Sequence, residues 1–150
     1  EKEPLDFTGI PNFAPEHFRR VRLKSPLKMK QLLKGVGQLV EEGAIQFFRP
    51  LKGNEMILGA VGALQFEVTM ARLKAEYGVD AVYEPVNYST ARWISCDDKK
   101  KLDAFEKDCQ SNMARDAENN LSYLAESEWQ LNYTAKEWPE IDFLKIRECR

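Results

Sequence analysis

The stretch FRRVRLKSPLKMKQLLKGVGQLVEEG, residues 18–43, decides the fold of the first half of the chain. At its start Val21 and Leu23 alternate with basic side chains, which predicts a half-buried strand over residues 18–24. The basic side chains of this alternation are Arg20, Arg22 and Lys24. Ser25 and Pro26 follow, and they suit the N-cap and the first position of a helix.

The next segment has the pattern of an amphipathic helix, because its apolar residues recur every three or four positions. They are Met29, Leu32, Leu33, Val36, Leu39 and Val40. Gly43 suits a left-handed residue that ends the helix. Gly35 and Gly37 each cost about 1 kcal/mol relative to alanine inside a helix. We therefore interpret these two glycines as points of close packing.

The remaining pattern of the first half completes a split-βαβ plan. It predicts two strands, a helix and a strand, at residues 45–49, 55–60, 63–77 and 79–84. Gly53 and Asn54 form the turn between the two strands, Gly78 ends the helix, and Pro85 closes the last strand. The order βαββαβ places two helices on one face of an antiparallel sheet.

After Pro85 the pattern repeats loosely. We expect a strand at 91–96, a helix at 98–112, a polar loop at 114–119, a strand at 121–125, a helix capped by Ser127 and a strand at 141–147. The segment after Ser127 is ambiguous, because residues 129, 131, 133 and 135 alternate as in a strand whereas residues 131, 135 and 138 have helical spacing, and we favour the helix. The stripe of the helix at 98–112 consists of Leu102, Phe105, Cys109 and Met113. Cys109 should therefore lie in the core, and Trp93 and Trp138 should be largely buried.

The predicted fold class is α+β, with a split-βαβ half of the ferredoxin-like kind followed by a second, smaller α/β half. We assign residues 1–11 to a linker from upstream domains, 12–86 to the first half and 87–150 to the second. The two halves should pack together as one domain. A chain of 150 residues is long enough to bury a core of this size.

Positive charge is concentrated in one segment of a chain whose net charge is −2. Between Glu16 and Lys34 there are seven Lys and Arg residues against one acid, while the rest of the chain is acidic. Such asymmetry indicates an anionic partner or a solvated face. The residues we select as candidate contacts are Arg20, Arg22, Lys24, Lys30 and Lys34. Contact with phosphate or acidic protein is favoured over base readout, since no RNP-like aromatic signature is present.

No pattern in the sequence indicates a catalytic, metal or nucleotide site. A P-loop is missing, and residues 59–62, Gly-Ala-Val-Gly, lack its lysine, so we interpret them as a tight strand-to-helix turn. His17 is the only histidine, and the carboxylate pairs Glu41-Glu42 and Asp97-Asp98 lie at helix ends. The three cysteines form no CxxC pair, so they are interpreted as reduced thiols. No membrane span or signal peptide is evident, so we expect a cytosolic protein.

Several segments resemble a known family. The string FTGIPNFAPEHFRRVRLK at residues 7–24, with PLKMKQLLKG at 26–35 and QLVEEGA at 38–44, resembles the carboxy-terminal region of bacterial peptide chain release factor three. LGAVGALQFEV at 58–68 is similar to a turn and helix that this family shares with the third domain of elongation factor G. TARW at 90–93 and LSYLA at 121–125 are similar to the same family.

The resemblance implies a parent protein that is a ribosome-dependent GTPase and helps to remove class-I release factors from the ribosome. It implies that GTP and Mg²⁺ bind in an upstream domain, so this fragment needs no cofactor and carries no catalytic residue. The implied partners are small-subunit RNA or protein of the ribosome and a class-I release factor, with a monomeric chain and no membrane. The motifs do not fix which residues contact the ribosome.

Three alternatives stay open at this point. The chain could be a free-standing split-βαβ RNA-binding module, which the basic strand favours and the missing stacking aromatics oppose. It could be a small enzyme with a site between its halves. The support for an enzyme is limited to His17 and scattered carboxylates. For the basic strand there is also a structural alternative, in which its arginines pair with the acidic second half and hold the two halves together.

Overall fold

A computed structural model describes residues 11–53 and 55–148. Its helices are α1 Met29–Glu41, α2 Leu64–Tyr77, α3 Lys99–Asp108 and α4 Glu128–Glu137. Its strands are β1 Pro11–Phe13, β2 His17–Leu23, β3 Gln46–Pro50, β4 Ile57–Ala60, β5 Ala81–Pro85, β6 Thr90–Ser95, β7 Met113–Asp116, β8 Leu121–Ala125, β9 Asp142–Leu144 and β10 Ile146–Glu148. Eight strands form one antiparallel sheet in the order β5-β2-β4-β3-β7-β8-β6-β9, and β1 pairs separately with β10.

The sheet is built from two units with the same topology. The first follows the chain order β2-α1-β3-β4-α2-β5 and the second follows β6-α3-β7-β8-α4-β9. In each unit the second strand lies at one edge and the fourth strand at the other, which is the split-βαβ arrangement. The α+β prediction and its ferredoxin-like first half are confirmed. The two units meet where β3 pairs with β7, so the sheet continues from one half into the other.

The polar loop predicted at residues 114–119 is wrong in its first part, because residues 113–116 form strand β7. This strand is only four residues long and contains Arg115 and Asp116, so its composition resembles that of a loop. Its conformation is fixed instead by pairing with β3 on one side and β8 on the other. Without this strand the sequence pattern predicts only a loose repeat, whereas the structure has a second complete unit.

Buried Asp116 organises the turn that follows β7. Its carboxylate accepts hydrogen bonds from the backbone amides of Glu118 at 2.9 Å and Asn120 at 2.8 Å. The indole Nε1 of Trp93 donates to the same carboxylate at 3.1 Å. Trp93 is buried as predicted. A charged side chain with only 5% of its surface exposed is tolerated here because several donors surround it.

The ends of the described chain are paired with each other. β1 runs antiparallel to β10, with Pro11 opposite Glu148 and Phe13 opposite Ile146. Pro11, predicted to belong to the linker, therefore begins a strand. Residues 1–10, Asn54 of the predicted turn, and Cys149 lie outside the described residues. The single strand predicted at 141–147 is instead two strands, β9 paired with β6 and β10 paired with β1.

Three clusters of buried side chains make up the core. One lies between α1, α2 and the first half of the sheet, with Leu32, Leu39, Leu58 and Leu73 fully buried. A second lies in the other half, around Phe105, Met113 and Tyr123. The third, which contains Phe18, Phe48, Ala114 and Leu124, draws on strands of both halves, and Val86 and Tyr88 of the connecting segment pack against it. This third cluster therefore buries side chains of both units together.

Helix α1 follows the predicted pattern with two corrections. A 3-10 turn, Pro26–Lys28, precedes it, and the Ser25 side chain makes no capping hydrogen bond. Gly43 has φ +78°, as a left-handed terminating residue should. The helix face predicted to be buried does include Leu32, but Met29 and Leu33 at its border are 41% and 45% exposed. These two side chains lie at the outer edge of the helix layer.

Helices α3 and α4 begin at the residues that the sequence indicated. The Asp98 side chain accepts from the backbone amides of Lys100 and Lys101, and the Ser127 hydroxyl accepts from the amide of Gln130. The carboxylate of Asp98 thus caps a helix, in agreement with the interpretation given above. Trp138 is only partly buried, with its ring edge-on to Phe105 at 5.4 Å.

Cys109 is partly buried at the end of α3 rather than fully buried, and it packs against the Phe105 cluster. Burial, with a smaller contribution from Asp108, raises the pKa of its thiol to about 11. Only the thiolate attacks a disulfide reagent. In a Cys96→Ser/Cys149→Ser variant, labelling of Cys109 at pH 8 should therefore be about a hundredfold slower than that of an ordinary thiol, and should accelerate up to about pH 11. Rapid labelling at pH 8 in the folded protein would contradict this packing.

Candidate docking surface

Arg20 and Arg22 of β2, and Lys24 just after it, lie on the sheet face opposite α1 and α2, whereas Arg19 lies on the helix side with its guanidinium 5.0 Å from the centre of the Phe66 ring. Val21 joins the cluster under these helices, whereas Phe18 joins the cluster on the other face. Residues two and four positions after Phe18 share its face, because side chains alternate along a strand. The predicted alternation of apolar and basic residues is therefore present, with Arg20 partly buried and Arg22 and Lys24 exposed.

Each of these three basic residues has an acidic neighbour. Arg20 forms an ion pair with Glu55, and its Nε lies 3.3 Å from Glu84, although without the alignment of a hydrogen bond. Arg22 donates to Glu84 at 2.9 Å. Lys24 lies 3.7 Å from Asp80. Exposed pairs of this kind contribute about 0–1 kcal/mol each, so they hold the side chains only loosely.

These ion pairs do not join the two halves. Glu55, Glu84 and Asp80 all belong to the first half, as do their basic partners. In the part of the chain that the structure describes, the second half supplies no acid to this strand. The structural alternative, in which the arginines hold the two halves together, is therefore not supported by the observed pairs.

Lys30 and Lys34 on α1 differ from the strand residues. Both are exposed and lie one turn apart, so their ammonium groups share a helix face. Within residues 11–53 and 55–148, neither lysine forms an ion pair. These two charges can therefore meet an anionic partner without first breaking a contact.

A second cationic surface, which the sequence did not indicate, lies where the two halves meet. Arg49 of β3 and Arg115 of β7 are direct cross-strand partners. Arg49 lies two positions after Phe47, and Arg115 lies two positions after Met113. Phe47 and Met113 pack in the helix-covered clusters, and residues two apart on a strand share a face, so both arginines lie on the helix side of the sheet. This pairing can be predicted only if β7 is recognised as a strand. The polar composition of β7 is typical of a loop and does not indicate a strand.

In the tight turn at residues 59–62, the amides of Val61 and Gly62 are already occupied by a side chain. The Gln65 side-chain oxygen accepts from the backbone amides of Val61 at 2.9 Å and Gly62 at 3.2 Å. A side chain of α2 thus occupies the two amides that precede the helix, although the N-cap residue Ala63 makes no side-chain capping hydrogen bond. Across the described residues, no cluster of three or more His, Cys, Asp or Glu side chains is arranged to hold a metal ion.

The comparison with known families is decisive. Residues 7–135 match the model of a family described as class II release factor RF3, C-terminal domain. This match extends from the residues before β1 into α4 and covers most of the chain. The chain belongs to the RF3 C-terminal domain family. The resemblance noted from the sequence segments is thereby confirmed, and the chain is a domain of a release factor that acts in translation termination.

In this RF3 C-terminal domain the matched region includes strand β7 and both basic surfaces. It also includes two exposed aromatic residues on α4, Trp129 and Tyr133, whose rings stack at 5.4 Å. The alternating pattern around residue 129 did not reveal this pair. Of the helices in residues 11–53 and 55–148, none is long and apolar enough to span a bilayer.

Proposed function

We propose that this RF3 C-terminal domain docks the release factor on the ribosome and catalyses no reaction itself. The observation that carries the proposal is the family match over residues 7–135, which assigns the chain to the C-terminal part of the factor. The exposed basic residues of α1 and β2 support it, because phosphates of ribosomal RNA attract such groups at a distance. In this proposal the domain acts in the cytoplasm as a monomer.

The domain contributes to termination through differential binding. A factor that binds one ribosomal conformation more tightly than another shifts the population toward it by no more than that difference in affinity. By docking in this way, the factor promotes the dissociation of a class-I release factor. GTP and Mg²⁺ would bind in a different domain of the full-length factor, so their chemistry does not involve the residues described here.

The five candidate contacts fall into two groups. Lys30 and Lys34 form no ion pair within the described residues, so they can bind phosphate directly. Arg20, Arg22 and Lys24 must exchange a carboxylate partner for a phosphate, which costs little because their pairs are solvent-exposed. We therefore expect both groups to contribute, with the larger share from the two lysines.

A free-standing RNA-binding module of the split-βαβ kind is less well supported. Such modules read RNA on the open sheet face with stacked aromatic side chains. Here the face opposite the helices carries the cluster of Phe18, Phe48 and Leu124, all at most 2% exposed. These aromatic rings lie in the core and are unavailable for stacking with bases.

Replacement of Arg20, Arg22 and Lys24 by Gln in the full-length factor tests the contribution of the strand. We expect ribosome binding to weaken most at low salt, since each lost phosphate contact lowers the slope of log affinity against log salt by about 0.7–0.9. Co-sedimentation with purified ribosomes over a salt series measures this slope. A variant that binds ribosomes like the wild type but melts at a markedly lower temperature would show that these residues serve the fold instead.

A further inference from the structure

An open groove lies beside the junction of the two halves, on the helix side of the sheet. It has a volume of about 450 Å³, and its lining includes Met29, Leu33, Arg49, Leu51, Met56 and Arg115. Met29 and Leu33 come from the exposed border of α1, and the other residues come from β3, β4, β7 and the residues beside them. The groove thus combines aliphatic side chains with two guanidinium groups.

The two arginines occupy an unfavourable arrangement for an isolated domain. Arg49 and Arg115 are directly opposite in the register of β3 and β7, and like charges at such positions destabilise a sheet. Arg115 has partial compensation, with Glu106 at 3.8 Å and the backbone oxygen of Asn119 at 3.1 Å. Arg49 is exposed and forms no ion pair with any residue in the described ranges.

The acid among the residues that line the groove is already engaged. Glu55 contributes to the lining, but its carboxylate is paired with Arg20 on the other side of the sheet. The groove therefore has a positive end that its own residues do not neutralise. A local arrangement that costs stability and is only partly compensated within the fold is where a binding partner is expected.

We propose that this groove binds an acidic segment of another protein, one that carries aliphatic side chains next to carboxylates. The carboxylates would pair with Arg49 and Arg115, whose planar guanidinium groups suit two-point contacts with carboxylate oxygens. The aliphatic side chains would cover Met29, Leu33 and Met56. Methionine adapts its shape readily, which suits a surface that packs against a partner.

RNA fits this groove less well than protein does. A nucleic acid strand would satisfy the arginines, but its sugar and phosphate groups would leave the aliphatic wall uncovered. Strand binding usually adds aromatic side chains on which bases stack, and none is among the residues that line this groove. The inference goes beyond ribosome docking through the lysines and does not rest on it.

The test is an NMR titration of the ¹⁵N-labelled 150-residue chain with a synthetic peptide of sequence LLEELLEELLEE. We expect saturable shifts of backbone amides that line the groove. The Arg49→Gln/Arg115→Gln variant should bind at least about fivefold more weakly. Its thermal midpoint should be unchanged or raised, because a like-charge contact is removed. Leu33→Ser should also weaken binding, whereas Lys74→Gln/Lys136→Gln, which removes two exposed lysines elsewhere, should not.

Three further probes make the outcome decisive. Peptides with every Glu replaced by Lys, or every Leu replaced by Ser, should bind much more weakly than the parent peptide. A 12-nucleotide single-stranded RNA should leave the groove amides unshifted. The proposal is overturned if the acidic peptide does not saturate, if the Lys or Ser peptide binds equally well, or if the RNA occupies the groove more tightly. Loss of peptide binding in the arginine variant with normal ribosome binding would separate this groove from the docking surface.

Discussion

Phe105→Ala should lower the free energy of unfolding by about 3–5 kcal/mol, the usual cost of removing a fully buried aromatic ring. Phe105 has no exposed surface and lies at the centre of the second-half core. Its ring centroid is 6.0 Å from that of Tyr123, 5.4 Å from that of Trp138 and 5.6 Å from that of Phe143. Substitution by alanine would leave a cavity and remove three aromatic contacts together.

Tyr133→Ala is the matched control for this prediction. Tyr133 is an aromatic residue of the same half, but it is 53% exposed and stacks on Trp129 at the surface. Its replacement should change stability by no more than about 0.5 kcal/mol. Denaturant unfolding followed by circular dichroism measures both variants. Equal effects of the two substitutions would show that Phe105 is not at the centre of a packed core.

Gly35→Ala and Gly37→Ala should change stability in opposite directions, although both replace a glycine inside α1. A Cβ atom at Gly35 would lie 2.6 Å from Cδ2 of Leu73 and 2.9 Å from Cδ2 of Tyr77, both on α2. Overpacking of this kind costs about 1–3 kcal/mol, more than the roughly 1 kcal/mol that alanine gains in helix propensity. At Gly37 no atom lies within 4 Å of the added Cβ. Gly37→Ala should therefore stabilise the protein by about 0.5–1 kcal/mol.

Thermal and denaturant unfolding of the two alanine variants, measured side by side, checks this pair of predictions. The comparison isolates helix–helix contact, because backbone propensity changes equally at both positions. A stabilising Gly35→Ala would mean that α1 and α2 do not approach closely at this point. The sequence indicated close packing at both glycines, and the structure supports this interpretation at Gly35 alone.

The fold of the first half could be predicted because its local signals agree. The split-βαβ plan is indicated by the alternation in β2 and by the apolar period of α1. It is also indicated by the glycines at positions 43, 53 and 78, which have left-handed backbone conformations. Family-specific segments spread along most of the chain then made the release factor assignment possible. Helix α4 was predicted correctly despite an ambiguous pattern, since the Ser127 side chain caps it.

What could not be predicted depends on contacts between residues distant in sequence. Strand β7 is defined by its two neighbours, and without it neither the second complete unit nor the pairing of Arg49 with Arg115 can be derived. The basic alternation of β2 showed correctly which residues share a face. It could not show that Glu55 and Glu84 approach them, because these acids come from other strands and turns.

Ion pairs neutralise part of the positive charge of the candidate surface, so a count of its basic residues overstates the charge that a partner would meet. Seven basic residues among residues 16–34 indicate an anionic partner or a solvated face. Three of the five selected residues are paired with acids, which leaves Lys30 and Lys34 as the free charges of that set within the described chain. This difference sharpens the central proposal, since it identifies the two side chains whose loss should matter most.

The salt dependence of ribosome binding by Lys30→Gln/Lys34→Gln tests the docking proposal most directly. The full-length factor carrying this change is compared with wild type and with Lys74→Gln/Lys136→Gln, which has the same net charge but alters exposed lysines on α2 and α4. If Lys30 and Lys34 contact phosphates, the slope of log affinity against log salt should fall by about 1.4–1.8 in the first variant and remain at the wild-type value in the second. Equal slopes in all three proteins would contradict the proposal that this surface docks the domain on ribosomal RNA.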